Sequence, residues 1–291
     1  MRKRLAIVAG MFYPGEKNTL LKEIEKCFKS PLGPGNLPAY KKESIEKAKI
    51  IGAVVPHAGY QYSGPVAAHV YYELATKSTT PDVIVILGPN HQGLGAPIAV
   101  STADYWTTPL GEVEVDHTFV EKLVEISEII ERDDLAHSYE HSIEVQIPFL
   151  QYIFSNSKLR IVPITMMLQE PKSSKIVGEA IKQAADELKL SDVVVLASSD
   201  FTHYESQNVA YRKDKKAIDS ILELDARKFY DIIIENDISV CGPGPIMTLI
   251  SYARQFSNVK AKLLKYATSG DVTGRLDAVV GYAAITFEIS Q

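Results

Sequence analysis

The 291-residue chain has only two cysteines, Cys27 and Cys241, and a single tryptophan, Trp106. So few thiols exclude a disulfide framework, and both cysteines read as free thiols of a cytoplasmic protein. Long apolar runs are missing too: none approaches the roughly 20 residues of a membrane span. Cationic excess is also absent. Against 36 Asp and Glu there are 31 scattered Lys and Arg, a formal net charge of −5, so no nucleic-acid-binding surface is expected. The opening MRKRLAIVAGMFYPG puts basic residues before an apolar stretch, but Tyr13-Pro14-Gly15 interrupts it early and a signal peptide is not expected. No internal repeat or low-complexity tail is evident, and the length suits one large α/β domain spanning residues 1–291.

What the chain does have is one pattern used three times. Ile50–Val55 is an apolar β-branched run that stops at Pro56 and delivers His57, Gly59 and Tyr60 into a polar turn, followed by a helical segment over Val66–Leu74. Val83–Leu87 runs likewise into Gly88-Pro89-Asn90-His91. Val193–Ala197 runs into Ser198-Ser199-Asp200-Phe201-Thr202-His203. In open α/β sheets ligands bind beyond the carboxyl ends of the strands. If the three runs are parallel strands of one sheet, three histidines and an aspartate share one rim, a set suited to a metal or to acid–base work.

The remaining segments alternate between strand and helix, as a layered α/β fold requires. Strands are expected at Leu5–Ala9, Ala96–Ser101, Val113–Val115, Leu159–Thr165, Lys262–Ala267 and Ala278–Phe287, the last broken by Gly281. Helices are expected over Thr19–Lys29, Thr118–Glu125, Ser173–Leu190, Val209–Glu223, Ala226–Glu235 and Ile246–Gln255. Cys27 falls on the apolar stripe of the first of these, as a small buried hydrophobe. The Pro- and Gly-rich Ser30–Tyr40 reads as a surface loop, Trp106 as a packing residue, and His117 as a surface cap beside a helix start.

Leu135–Phe154, placed on a helix, sets His137, His141 and Glu144 on one side, with Pro148 at a start or a kink. HSYEH lacks the glutamate that the zinc-protease motif places second, so His141 and Glu144 are expected to line the site rather than form a zinc centre of their own. Cys241 precedes a Gly-Pro-Gly-Pro turn and a helix amino terminus, a field expected to lower its pKa.

These stretches carry a resemblance to the Memo family: AGMFYPG at 9–15, PHAGYQYSG at 56–64, LGPNHQG at 87–93, EHSIEVQIPFL at 140–150, SSDFTHY at 198–204, CGPGP at 241–245 and TSGD at 268–271. The family's fold is similar to that of class III extradiol ring-cleaving dioxygenases, an α/β/α sandwich around a mixed, largely parallel sheet. By position, His57 and His91 resemble the two histidine ligands of the Fe(II) in those enzymes, and Cys241 stands where a glutamate would be. Asp200 and His203 resemble the acid–base neighbourhood, with Tyr60, Asn90, His141 and Glu144 around the pocket. Two His and a Cys form a softer set than the oxygenase triad, suited to iron or copper, with zinc behind them.

Two expectations follow from the resemblance. One is a metal-dependent redox or oxygen-using protein. The other is a binding module that works with a radical-SAM system, or with a small-molecule or peptide ligand, through the same pocket. An Arg cluster of the kind that recognises phosphopeptides is not evident in the sequence.

Overall fold

The computed structural model describes residues 1–38, 48–77, 80–155 and 157–290. In chain order its strands are β1 (Lys3–Arg4), β2 (Ala48–Val55), β3 (Val83–Pro89), β4 (Ile98–Val100), β5 (Tyr105–Thr108), β6 (Gly111–Val115), β7 (Glu131–Arg132), β8 (Arg160–Met166), β9 (Val193–Ser198), β10 (His203–Glu205), β11 (Val259–Thr268) and β12 (Val279–Ser290). Its helices are α1 (Lys17–Lys29), α2 (Tyr60–Lys77), α3 (His117–Ile126), α4 (Ile147–Ile153), α5 (Pro171–Glu187), α6 (Gln207–Leu222), α7 (Ala226–Glu235), α8 (Pro243–Ala253) and α9 (Ser269–Thr273).

The sheet runs β1-β5-β6-β8-β3-β9-β2-β12-β10. From β6 to β2 every neighbouring pair is parallel, and β12 closes that stretch antiparallel to β2, with β11 paired to β12 in turn. Every residue of β3 and β9 is buried, as is β2 from Ile50 on. That explains their unbroken Val, Ile and Leu runs: a parallel strand covered on both faces has no polar side to alternate with. On β2 and β12, α2 packs together with α1 and α4; on β9, β2 and β3, α8 packs beside α5 and α7. The result is a mixed α/β fold with a largely parallel sheet between helices.

Most of the expected elements are present, with boundaries moved by a few residues, and the exceptions have local causes. Over 3–9 only Lys3–Arg4 pairs as a strand, because Ile7 and Val8 give their N–H groups to the Glu144 carboxylate instead of to a neighbouring strand. Leu135–Phe154 is not one helix. It comprises two 3-10 turns, Leu135–His137 and Glu144–Gln146, before α4, whose first turn holds Pro148. His137 therefore does not sit beside His141; its Nε2 lies 3.1 Å from the Ala99 carbonyl. Gly281 does not break β12. It pairs with Thr268, and its missing Cβ leaves room for the Asp214 carboxylate, which a side-chain carbon would overlap. Residues 30–38 form the expected loop, while Ala39 and Tyr40 lie outside the described residues. His117 is not the cap of α3: the Asp116 carboxylate accepts from the Phe119 N–H at 2.9 Å. Trp106 is buried on β5, its indole N–H donating to Ser101 Oγ at 3.1 Å and the Arg4 guanidinium lying over its ring.

Candidate metal centre

The order β3-β9-β2 makes the three histidine-delivering strands adjacent and parallel, with Val55 level with Ser198 and Leu87 with Ala197. Their carboxyl ends therefore open onto one rim. His57 leaves β2, His91 leaves β3, and Asp200 leaves β9. Cys241 comes from the loop before α8. A Cβ at Gly242 would meet the Ser198 carbonyl at 2.7 Å, so only glycine lets that loop press so close to β9. Ser199 Oγ accepts the Gly242 N–H at 3.0 Å, and Gln169 holds the Cys241 carbonyl at 3.1 Å and the Gly244 N–H at 3.0 Å.

One ligand atom each from His57, His91 and Cys241 lies within 4.8 Å of the other two. The hydrogen bonds behind the rings decide which atoms face inward. Ser198 Oγ has a single proton and gives it to the Ser142 carbonyl at 2.6 Å. It accepts from Gln146 Nε2 at 2.8 Å, an amide whose orientation is set by its second bond to the Pro56 carbonyl at 3.0 Å. The His57 Nδ1, 2.9 Å from the same oxygen, must therefore carry the proton. That leaves the Nε2 lone pair directed at Cys241 Sγ, 3.2 Å away. His91 is fixed in the same sense: its Nδ1 lies 2.9 Å from Glu140 Oε1 and its backbone N–H donates to Glu140 Oε2 at 2.6 Å. His203 Nδ1 lies 2.8 Å from the Ser239 carbonyl, which can only accept, so this ring too keeps its Nε2 unprotonated when neutral.

Burial, and then the neighbouring imidazoles, hold the His57 pKa well below the ordinary histidine range. Burial likewise takes His141 down to about 4 against the pull of Glu140. Burial alone would raise the Glu140 carboxyl, but the His91 hydrogen bond, the two imidazoles and the Ser142 N–H bring it to about 2. Asp200 is pushed up to about 6 by burial, partly offset by the His57 N–H it accepts at 2.8 Å. The Cys241 thiol is raised, first by burial and then by the Asp200 charge. That is opposite to the lowering expected from its place before a helix, since desolvation outweighs a helix end here. A cation bound beside the sulfur reverses the balance, because a coordinating thiol is deprotonated outright. Cys27 is buried, its thiol donating to the Tyr60 carbonyl.

Above these groups opens a cavity of about 630 Å³. His57, His91, His141, Asp200, His203 and Cys241 form its floor and wall, with Phe12, Tyr62, Tyr204, Tyr282 and Arg275 around them. Tyr60, Asn90 and Glu144 are not in this wall. The Tyr60 hydroxyl donates to the Val145 carbonyl at 2.7 Å. Asn90 closes its own turn through Gln92, Gly93 and Leu94. Glu144 faces away, toward Arg4, Ile7, Val8 and Tyr13. Two larger grooves, of about 770 and 830 Å³, bring no histidine into their walls.

The sequence profile of the Memo-like proteins matches residues 4–286. The chain belongs to the Memo family. It is 48% identical to a MEMO1 family protein of Sulfurisphaera tokodaii, over 98% of this chain and 99% of the relative. A MEMO1 family protein of Desulfurococcus amylolyticus is also 48% identical, over 99% and 100% of the two chains, and one of Methanopyrus kandleri 47%, over 98% and 99%. Among solved structures, an uncharacterized protein of Escherichia coli K12 shares the fold with a TM-score of 0.54, covering 83% of this chain and 100% of its own at 12% identity.

In this Memo chain the donor set fits a metal: two imidazoles whose Nδ1 atoms are held from outside, and a thiol. Bonds of about 2.0–2.3 Å in a tetrahedral arrangement set donors roughly 3.3–3.8 Å apart, so side-chain movements of about 1 Å close the set. A second grouping, His91, Glu140 and His141, is equally compact. It fits poorly, because the Glu140 oxygens already accept from His91 N, His91 Nδ1, His141 N and Ser142 N. Glu140, Ser198 and Gln146 are the residues that reading the sequence missed. Glu140 stood in plain view beside His141, but nothing in its spacing said that it would turn back to His91.

Proposed function

We propose that this Memo protein binds an iron or copper ion through His57 Nε2, His91 Nε2 and Cys241 Sγ, and that the cavity above them admits a small molecule to it. The observation that supports this reading is the backing of the two rings: Ser198 and Glu140 hold their Nδ1 atoms, the His57 Nε2 lies 3.2 Å from Cys241 Sγ, and a ligand nitrogen of His91 belongs to the same cluster. Two nitrogens and a thiolate suit iron or copper better than the hard, oxygen-preferring ions. A redox-active ion there would supply electron-transfer or oxygen chemistry. The chain's own contribution is to exclude bulk water with Phe12 and Tyr282, and to offer His203 Nε2 as a proton acceptor for a ligand in the cavity. Asp200, whose carboxyl burial raises to about 6, can hold a proton near Cys241.

Metal analysis of protein purified without oxygen, wild type beside Cys241→Ser and His57→Ala, tests the ligand set. Near-stoichiometric iron or copper that both variants lose is the expected result. A wild type that takes up neither Fe(II) nor Cu(I) would sink the reading.

A second reading rests on Tyr204, which stands at the cavity mouth 79% exposed and with a left-handed backbone, φ 59°. A bulky aromatic side chain held outward against its backbone preference is what a docking surface uses. On this reading the cavity rim binds a peptide or a protein partner, a radical-SAM system component among them. Capture of such a partner by wild type and by His57→Ala alike would favour a surface independent of metal.

A further inference from the structure

We propose that Glu140 is the positioning residue of the site, the group that fixes the ring of His91 and the turn that carries it; the proposal deepens the metal-binding reading and rests on it for its consequence. Glu140 is 1% exposed, and four N–H groups converge on its carboxylate. Oε2 accepts from the His91 N–H at 2.6 Å, while Oε1 accepts from His91 Nδ1 at 2.9 Å, from His141 N at 2.9 Å and from Ser142 N at 2.8 Å. One carboxylate thus clasps both ends of the same residue, its amide and its ring. No partner of either oxygen is an acceptor, so the position demands a side chain that only accepts. A glutamine has one amide nitrogen, and whichever way it turns, its N–H₂ meets an N–H of His91 or of the 141–142 turn.

The two imidazoles are therefore backed unequally. Behind His57 stands a neutral serine hydroxyl, whereas behind His91 stands a buried carboxylate. Such an outer partner sets a ligand's orientation and raises its basicity, and removing it typically weakens metal binding by about 10–100-fold. His91 is the more exposed of the two rings, with 29% of its side chain accessible against a nearly buried His57. With less packing around it, the Glu140 clasp is what holds it in place.

The test has two arms. In the first, metal-free protein labelled with ¹⁵N-histidine reports the His91 tautomer by NMR. Wild type is expected to show the Nδ1–H form, and Glu140→Gln a mixture. In the second, anaerobic Co(II) titration is followed by the thiolate-to-cobalt absorption band. Glu140→Gln is expected to bind about 10–100-fold more weakly than wild type, and the factor is expected to vanish in a His91→Ala background. Glu140→Asp, still an acceptor but a methylene shorter, serves if the glutamine variant does not accumulate, with loss of the Nδ1–H form expected again. An unchanged tautomer with affinity within about twofold of wild type would overturn the proposal. So would an equal loss in the His91→Ala background, which would mean that Glu140 acts on the fold and not through His91. A wild type that binds no Co(II) would count against the metal site, while the tautomer arm would still decide whether Glu140 sets the ring.

Discussion

Replacing Glu144 by glutamine should be among the most damaging single changes in this chain, though the residue touches neither cavity nor ligand set. Its carboxylate is fully buried and pairs with the Arg4 guanidinium, itself 8% exposed. It also accepts the Ile7 N–H and Val8 N–H at 3.0 Å and the Tyr13 hydroxyl at 2.6 Å. Arg4 in turn donates to the carbonyls of His137 at 3.2 Å and Glu140 at 2.6 Å. Glutamine would leave that guanidinium buried without a counter-charge and would set an N–H₂ against donors. Breaking a buried pair in this way costs about 3–5 kcal/mol. For a chain of this size each kcal/mol moves the melting temperature by about 2 °C, so a fall of about 6–10 °C is expected. Urea unfolding of chelator-treated protein, with Arg4→Met and the double variant completing a cycle, separates the pair from the backbone bonds. The double variant should cost less than the sum of the singles by about 1–3 kcal/mol. A Glu144→Gln variant within about 1 kcal/mol of wild type would refute the reasoning, because burial of an uncompensated charge does not come that cheaply. The same change should loosen Phe12, whose ring lies 4.6 Å from that of His141, and so widen the cavity from behind.

Acid should act through the buried histidines, His137 among them. Burial lowers the His137 pKa to about 4, and its Nδ1 has no hydrogen-bond partner. Because the unfolded chain binds the proton more readily than the folded one, stability should rise with pH between about 4 and the unfolded value near 6.5, and be lost as pH falls through that window. Down to pH 4.5 the loss should be about 2–3 kcal/mol. A His137→Gln variant should show a correspondingly shallower slope in urea titrations, and an unchanged slope would remove His137 from the account. Gly242→Ala should destabilise by about 1–3 kcal/mol through overpacking, since its Cβ would lie 2.7 Å from the Ser198 carbonyl and 2.8 Å from Ser199 Cβ. By displacing Cys241 it should also lower metal content, and wild-type loading would show that the thiol's position is not set by that contact.

The central strands could be read from the sequence because their burial is nearly total. Val83–Leu87 and Val193–Ala197 have no polar position to confuse the pattern, and three such runs ending in histidine turns left little freedom in where those turns could meet. The segment at 135–154 misled because its spacing satisfies a helix while its polar side chains are claimed elsewhere. Glu140 is drawn to His91, and the Glu140 carbonyl to Arg4. Cys241 misled for another reason. A helix end is a local feature, but its pKa is set by burial and by Asp200, forty-one residues away in sequence.

Glu140 and Glu144 put the matter most sharply. They lie four residues apart in one motif and have the same chemistry, and both are buried. Reading by spacing favoured Glu144, which a helix would have aligned with His141. In the folded chain each carboxylate is saturated by N–H and O–H donors, but one set comes from His91 and the 141–142 turn, the other from the segment from Arg4 to Tyr13. A carboxylate's role is decided by the donors that surround it, and those include His91, from the turn after β3, in one case and the amino-terminal segment in the other. The Glu140 and Glu144 variants should therefore part company in experiment: the first in the state of the His91 ring, the second in the stability of the fold.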